Sequence, residues 1–158
     1  MSHESIGKSD EWYTPAYIFK ALNTRFDLDV AHPEIETHVP ANNIITENSL
    51  ASEWFGYVWM NPPFGGRNGI LPWVEKFINH KNGIMLTPDR TSCGWWQNAA
   101  KETCAVLFLD GKVKFIKPDG SVGAQPSNGT TLFGIGEKAI QDLKIAESNG
   151  LGKLYINT

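Results

Sequence analysis

Cysteine is scarce in this 158-residue chain: Cys93 and Cys104 are the two present, and they form neither a C-x-x-C pair nor a metal-ligand spacing. A disulfide scaffold and a cysteine-based zinc site are therefore excluded as organising principles, and both residues read as reduced, buried thiols of a cytosolic protein. Long apolar runs are missing too. No stretch approaches the ~20 residues needed to span a bilayer. The first residues, Met1-Ser2-His3-Glu4-Ser5, carry neither the basic start nor the apolar stretch of a secretory signal. The expected location is cytoplasmic, with no membrane partner. Repeats, linkers and low-complexity tracts are absent, so residues 1–158 read as a single domain with a loose polar segment over 1–10.

Charge of one sign is not in excess overall. The net charge is −3, but it hides an asymmetry. Residues 1–60 hold nine acidic and three basic side chains, whereas residues 65–117 hold eight basic and four acidic ones. Such a front half does not suit a protein that coats nucleic acid. The second half is able to build a patch that touches a few phosphates. His32, His38 and His80 show no ligand spacing with acids or cysteines, so no metal is expected.

The apolar pattern alternates between two periods. Thr14-Pro15 reads as a helix cap followed by proline at the first helical position, with Ile18, Phe19 and Leu22 behind it at helical spacing. Phe26–Val30 alternates as a strand, residues 33–50 read as loop, and Tyr57–Met60 is a short apolar strand. Further helices are expected over 70–80, 94–102 and 137–148, and further strands over 84–86, 104–109, 131–133 and 154–156. Asp110-Gly111 reads as a hairpin turn that leads into a partner strand, with Lys112 and Lys114 on one face and Val113 and Phe115 on the other. Strands alternating with helices indicate an α/β fold, a mixed sheet with helices on its faces.

One segment carries chemistry. Asn61-Pro62-Pro63-Phe64 follows the strand Val58-Trp59-Met60 directly, and ligands of open α/β sheets sit at strand carboxyl ends. The residues before each proline are held extended, and neither proline has an N–H. The loop can thus aim two acceptors, Asn61 Oδ1 and the Pro62 carbonyl, at one exocyclic amino group. Holding both amine hydrogens out of the ring plane frees the nitrogen lone pair to attack an electrophilic methyl group. Phe64 offers a flat face on which a base extruded from a duplex could stack.

On these residues the chain resembles the phage and prophage DNA N(6)-adenine methyltransferase (Dam) family of S-adenosylmethionine-dependent enzymes. The resemblance spans residues 11–135. It rests on Glu11-Trp12-Tyr13-Thr14-Pro15, Phe26 to Ala31, Trp54 to Phe64 and Leu86-Thr87-Pro88. It implies a Rossmann-like class I methyltransferase fold with a mixed, mostly parallel sheet and helices on both faces. It also implies S-adenosylmethionine as methyl donor and double-stranded DNA as partner. By position, Thr14 and Pro15 match the element that contacts the methionine end of the cofactor. Asp29 and Ala31 match the acidic end of the first strand, Asn48 falls where an acid often stands, and Asn61, Pro62, Pro63 and Phe64 match the catalytic loop. Two features depart from the pattern: Ala31-His32-Pro33 replaces a glycine-rich turn, and Asn48 replaces the acid. Arg67, Arg90, Trp95, Lys112 and Lys114 are the candidate DNA contacts. Two other functions share these residues: amide methylation of protein glutamine, which also presents an NH₂, and a DNA-binding fold that has lost its chemistry.

Overall fold

A computed structural model describes residues 13–63, 69–124 and 126–158. Among these, seven strands form one sheet: β1 (Phe26–Asp29), β2 (Ala41–Ile44), β3 (Val58–Met60), β4 (Gly83–Pro88), β5 (Ala105–Leu109), β6 (Thr130–Ile135) and β7 (Gly152–Ile156). Their spatial order is β2-β1-β3-β4-β6-β5-β7. The pairings β2–β1, β1–β3 and β3–β4 are parallel, while β4–β6, β6–β5 and β5–β7 are antiparallel. Strands β1 to β5 therefore all run one way, and β6 and β7 run against them. The sheet is mixed and mostly of one direction, as the family resemblance implies.

Four helices cover it: α1 (Ala16–Leu22), α2 (Leu71–His80), α3 (Gly94–Glu102) and α4 (Glu137–Ser148). Ile18, Phe19 and Leu22 of α1 join Ala139, Leu143 and Ala146 of α4 in a core on one face. Val74, Phe77 and Ile78 of α2 join Trp96 and Ala99 of α3 in a core on the other. Because both faces are covered, the central strands are apolar throughout rather than alternating. In β3, Trp59 enters the first core while Val58 and Met60 enter the second.

Two glycines set the spacing around β3. Gly56 has φ +66°, and a Cβ there would lie 2.4 Å from Asp27 Oδ2, the carboxylate that accepts the Tyr57 N–H at 2.8 Å. Gly83 pairs with Val58, and a Cβ at 83 would lie 2.4 Å from the Val58 carbonyl oxygen. Backbone cannot move aside as a side-chain tip can. Gly83→Ala is therefore expected to destabilise the fold by about 1–3 kcal/mol. Urea unfolding measures this, and a variant as stable as the parent would show that the β3–β4 contact yields freely.

Helices α3 and α4 begin and end where the apolar spacing places them. Four expectations need correction. Thr14 does not cap α1: Pro15 occupies the cap position in an extended conformation (φ −70°, ψ 155°), which its ring permits, and Thr14 faces elsewhere. Residues 41–44 are not loop but the edge strand β2, whose burial pattern is mostly exposed and so leaves no apolar period to read. The hairpin at Asp110-Gly111 is not formed. Gly111 does turn (φ +86°), but β5 pairs with β6 and β7, and no strand follows over 112–115. Instead Ile116 bridges to Tyr13 and Val122. Val113 is buried and Lys112 and Lys114 are exposed, so the alternation survives without the ladder. Cys93 and Cys104 are free, and half-buried rather than buried.

Candidate active site

The site follows from strand order. After β1 the chain crosses to β2 on one side, and it later returns to place β3 on the other side of β1. That reversal opens a crevice outside the carboxyl ends of β1 and β3, the place where open α/β sheets bind ligands. Asp29 ends β1, and Asn61 immediately follows β3.

A cavity of about 900 Å³ occupies this crevice. Thr14, Asp29, Ala31, Asn48, Asn61 and Pro63 all line it, so the structure brings together residues from separate segments of the chain. Pro15 and Pro62 are buried beside it but do not line it. Phe64 and Arg67 lie outside the described residues.

Asp29 is 2% exposed. Burial pushes its carboxyl up to about 6, opposed by the hydrogen bond it accepts from the Ala31 N–H at 3.1 Å and by the neighbouring charge of His32. Neither of the lysine ion pairs among the described residues involves it. The cavity therefore contains a buried carboxylate suited to a cationic ligand.

Asn61 is half-buried, and its Nδ2 donates to the Thr14 hydroxyl oxygen at 3.2 Å. Thr14 itself is 2% exposed. Asn48 adopts the left-handed conformation (φ 56°, ψ 29°) ahead of a short 3₁₀ turn over Ser49–Ala51. Asparagine is among the side chains that enter this conformation most readily. Lys76 of α2 secures the turn by donating to the carbonyls of Ser49, Leu50 and Ser52.

The remaining wall was not legible as a site. The crossover between β1 and β2 contains no helix, and His32, Pro33, Glu34, Ile35, Thr37 and Val39 of that crossover line the cavity. Thr37 and His32 Nε2 are hydrogen-bonded at 3.2 Å, which closes the loop on itself. Trp59 and Trp73 add aromatic surface from β3 and α2; the sequence marks Trp59 only as part of an apolar strand and does not single out Trp73.

The candidate DNA contacts sort by strand direction. Arg90 is exposed just beyond the carboxyl end of β4, and Lys112 and Lys114 are exposed just beyond that of β5. Both ends lie on the same sheet edge as Asn61, because β3, β4 and β5 run the same way. The Tyr13–Ile116 bridge joins the basic segment to the rim of the cavity, with N–H···O distances of 2.8 Å in each direction. Trp95 is half-buried at the start of α3 and packs against the second core. Among the described residues no group of three or more His, Cys, Asp or Glu side chains is placed to hold a metal ion. No described helix is long and apolar enough to cross a membrane.

Comparison with known proteins decides the class. A family model described as DNA N-6-adenine-methyltransferase (Dam) matches residues 1–149. The chain belongs to the Dam family. A DNA N-6-adenine-methyltransferase of Haemophilus phage HP1 (strain HP1c1) is 30% identical over 131 residues, covering 73% of this chain and 73% of that relative. No solved structure matches the chain. Membership of the Dam family assigns the general reaction, methylation of adenine in DNA, and the mixed α/β sheet is consistent with a methyltransferase fold.

Proposed function

We propose that this Dam-family chain, acting as one domain, transfers a methyl group from S-adenosylmethionine to the exocyclic amino group of adenine in double-stranded DNA. The observation that carries the reading is the placement of Asn61 and Asp29 on one cavity at the β1–β3 crevice. The cavity fits the donor: its volume lies in the range of small-molecule sites, and its buried carboxylate complements a cation. Asp29, Thr14, Ala31 and Asn48 would hold it, with Trp73 offering an aromatic face. When bound, S-adenosylmethionine supplies an electrophilic methyl group.

The chain's own work is to present the amine. Asn61 Oδ1 and the Pro62 carbonyl accept its two hydrogens, which draws the nitrogen toward tetrahedral geometry and directs its lone pair at the methyl carbon. Pro63 stiffens the loop, and Phe64 stacks on the extruded base. Arg67, Arg90, Trp95, Lys112 and Lys114 hold the duplex around the extruded base, the cations through its phosphates.

The test is direct. Purified protein, unmethylated duplex DNA and methyl-labelled S-adenosylmethionine are incubated, and the nucleosides are resolved by mass spectrometry. Label in N6-methyladenine is expected. Label in protein, with none in nucleosides, would replace this reading with amide methylation. Absence of both transfer and cofactor binding would leave a fold without its chemistry.

A further inference from the structure

We infer that Thr14 is a positioning residue for the Asn61 amide, a role distinct from any contact it makes with a ligand. The inference rests on the reading of Asn61 as the acceptor for the target amine. A side-chain amide has two ends of nearly equal size, and only the oxygen end accepts from an amine. Turned the other way, Asn61 would present an NH₂ to an NH₂, and the amine would lose one of its two acceptors. Something must therefore sort the two ends before the target base arrives.

Thr14 is built to do so. Its hydroxyl oxygen accepts from Asn61 Nδ2 at 3.2 Å, which directs the opposite end, Oδ1, away from it. The hydroxyl is fixed by its own backbone. Tyr13, the residue before it, exchanges two hydrogen bonds with Ile116, and Pro15, the residue after it, holds Thr14 extended. With 2% exposure, Thr14 has no room to change rotamer freely. A hydroxyl can donate or accept, but it has a single hydrogen. Thr14 also lines the cavity. Once its hydrogen is given to an acceptor atom in the cavity, only lone pairs remain for Asn61. The amide nitrogen must then face Thr14 and the oxygen must face the amine. Filling the cavity thus locks the orientation that the reaction needs.

The experiment compares the full-length chain with Thr14→Val, Thr14→Ser and Asn61→Ala. Valine keeps the shape and removes the oxygen, and serine keeps the oxygen. Thr14→Val is expected to lower kcat by about tenfold with KM for DNA nearly unchanged, as loss of one neutral hydrogen bond at the reacting group would do. Thr14→Ser is expected to recover most of that loss. The second readout needs no catalysis: in the ligand-free protein, the side-chain amide protons of Asn61 should resonate and exchange as hydrogen-bonded protons, and they should move in Thr14→Val and return in Thr14→Ser. Wild-type kcat in Thr14→Val, or no rescue by serine, would overturn the inference. So would Asn61 amide protons that exchange in the wild type as fast as those of exposed Asn42, a result that stands even if the valine variant fails to fold. Asn61→Ala separates the two levels. If it retains full transfer, the role of Asn61 itself is wrong. If it is inactive while Thr14→Val is not, only the role of Thr14 falls.

Discussion

Asn61→Ala is expected to reduce methyl transfer to adenine by about 10²–10³-fold, the scale seen when one preorganised hydrogen-bonding group is removed from a reacting centre. The fold should not notice. Asn61 is half-buried on the cavity wall, belongs to neither core and follows β3 rather than pairing within it. Thermal unfolding of the variant should match the parent, and S-adenosylmethionine binding by calorimetry should change little. The informative quantity is the comparison of kcat with binding. A loss confined to kcat identifies a group that acts on the amine, whereas a loss confined to binding would make Asn61 a ligand contact. Parent-level turnover would remove the catalytic role altogether.

Asp29→Asn should have the opposite effects on stability and on binding. The carboxyl titrates near 6 in the fold against 3.8 for its ordinary value, so the folded protein holds its proton more tightly than the unfolded chain does. A raised value means that this group's stabilising contribution is full below pH 4 and is lost as pH rises through about 6. At neutral pH the buried charge is carried at a cost, and asparagine removes it while its Oδ1 can still accept the Ala31 N–H. The variant is expected to be more stable than the parent by up to about 3 kcal/mol near pH 7.5, the free-energy equivalent of moving a carboxyl from 3.8 to about 6. The gap should close near pH 4. Binding of the cationic donor should weaken by at least about tenfold, as loss of a charge-assisted contact implies. Denaturation across this pH range and calorimetry at pH 7.5 check both halves. A variant less stable at pH 7.5, or one with undiminished binding, would show that Asp29 serves the fold rather than the ligand.

Sequence legibility followed physical cause. Helices α3 and α4 were readable to the residue because one apolar stripe against a polar face leaves a helical period. The central strands were readable as short apolar runs because both of their faces are covered. Strand β2, Ala41-Asn42-Asn43-Ile44, was not, because an exposed edge strand is held by backbone hydrogen bonds that leave no mark on side-chain choice. Asp110-Gly111 misled for the converse reason. The turn is real, but which strand β5 pairs with is decided by β6 and β7, far along the chain. On the cavity wall, Asp29 and Asn61 were legible because Asp29 ends one recognisable strand and Asn61 directly follows another. His32, Thr37 and Trp73 became cavity wall only through tertiary assembly, and Thr14 resembled a helix cap because Thr-Pro is also good cap chemistry.

The Tyr13–Ile116 bridge makes the cavity rim dependent on the rest of the fold. It closes a loop that encloses most of the sheet, so its chain-entropy cost is met only once the strands between have paired. The rim that holds Thr14 in place thus depends on contacts far apart in the sequence. A chain with a finished sheet but an open rim would lack the cavity wall that Thr14 provides. Affinity for small ligands would then report whether the first and middle segments of the chain have met.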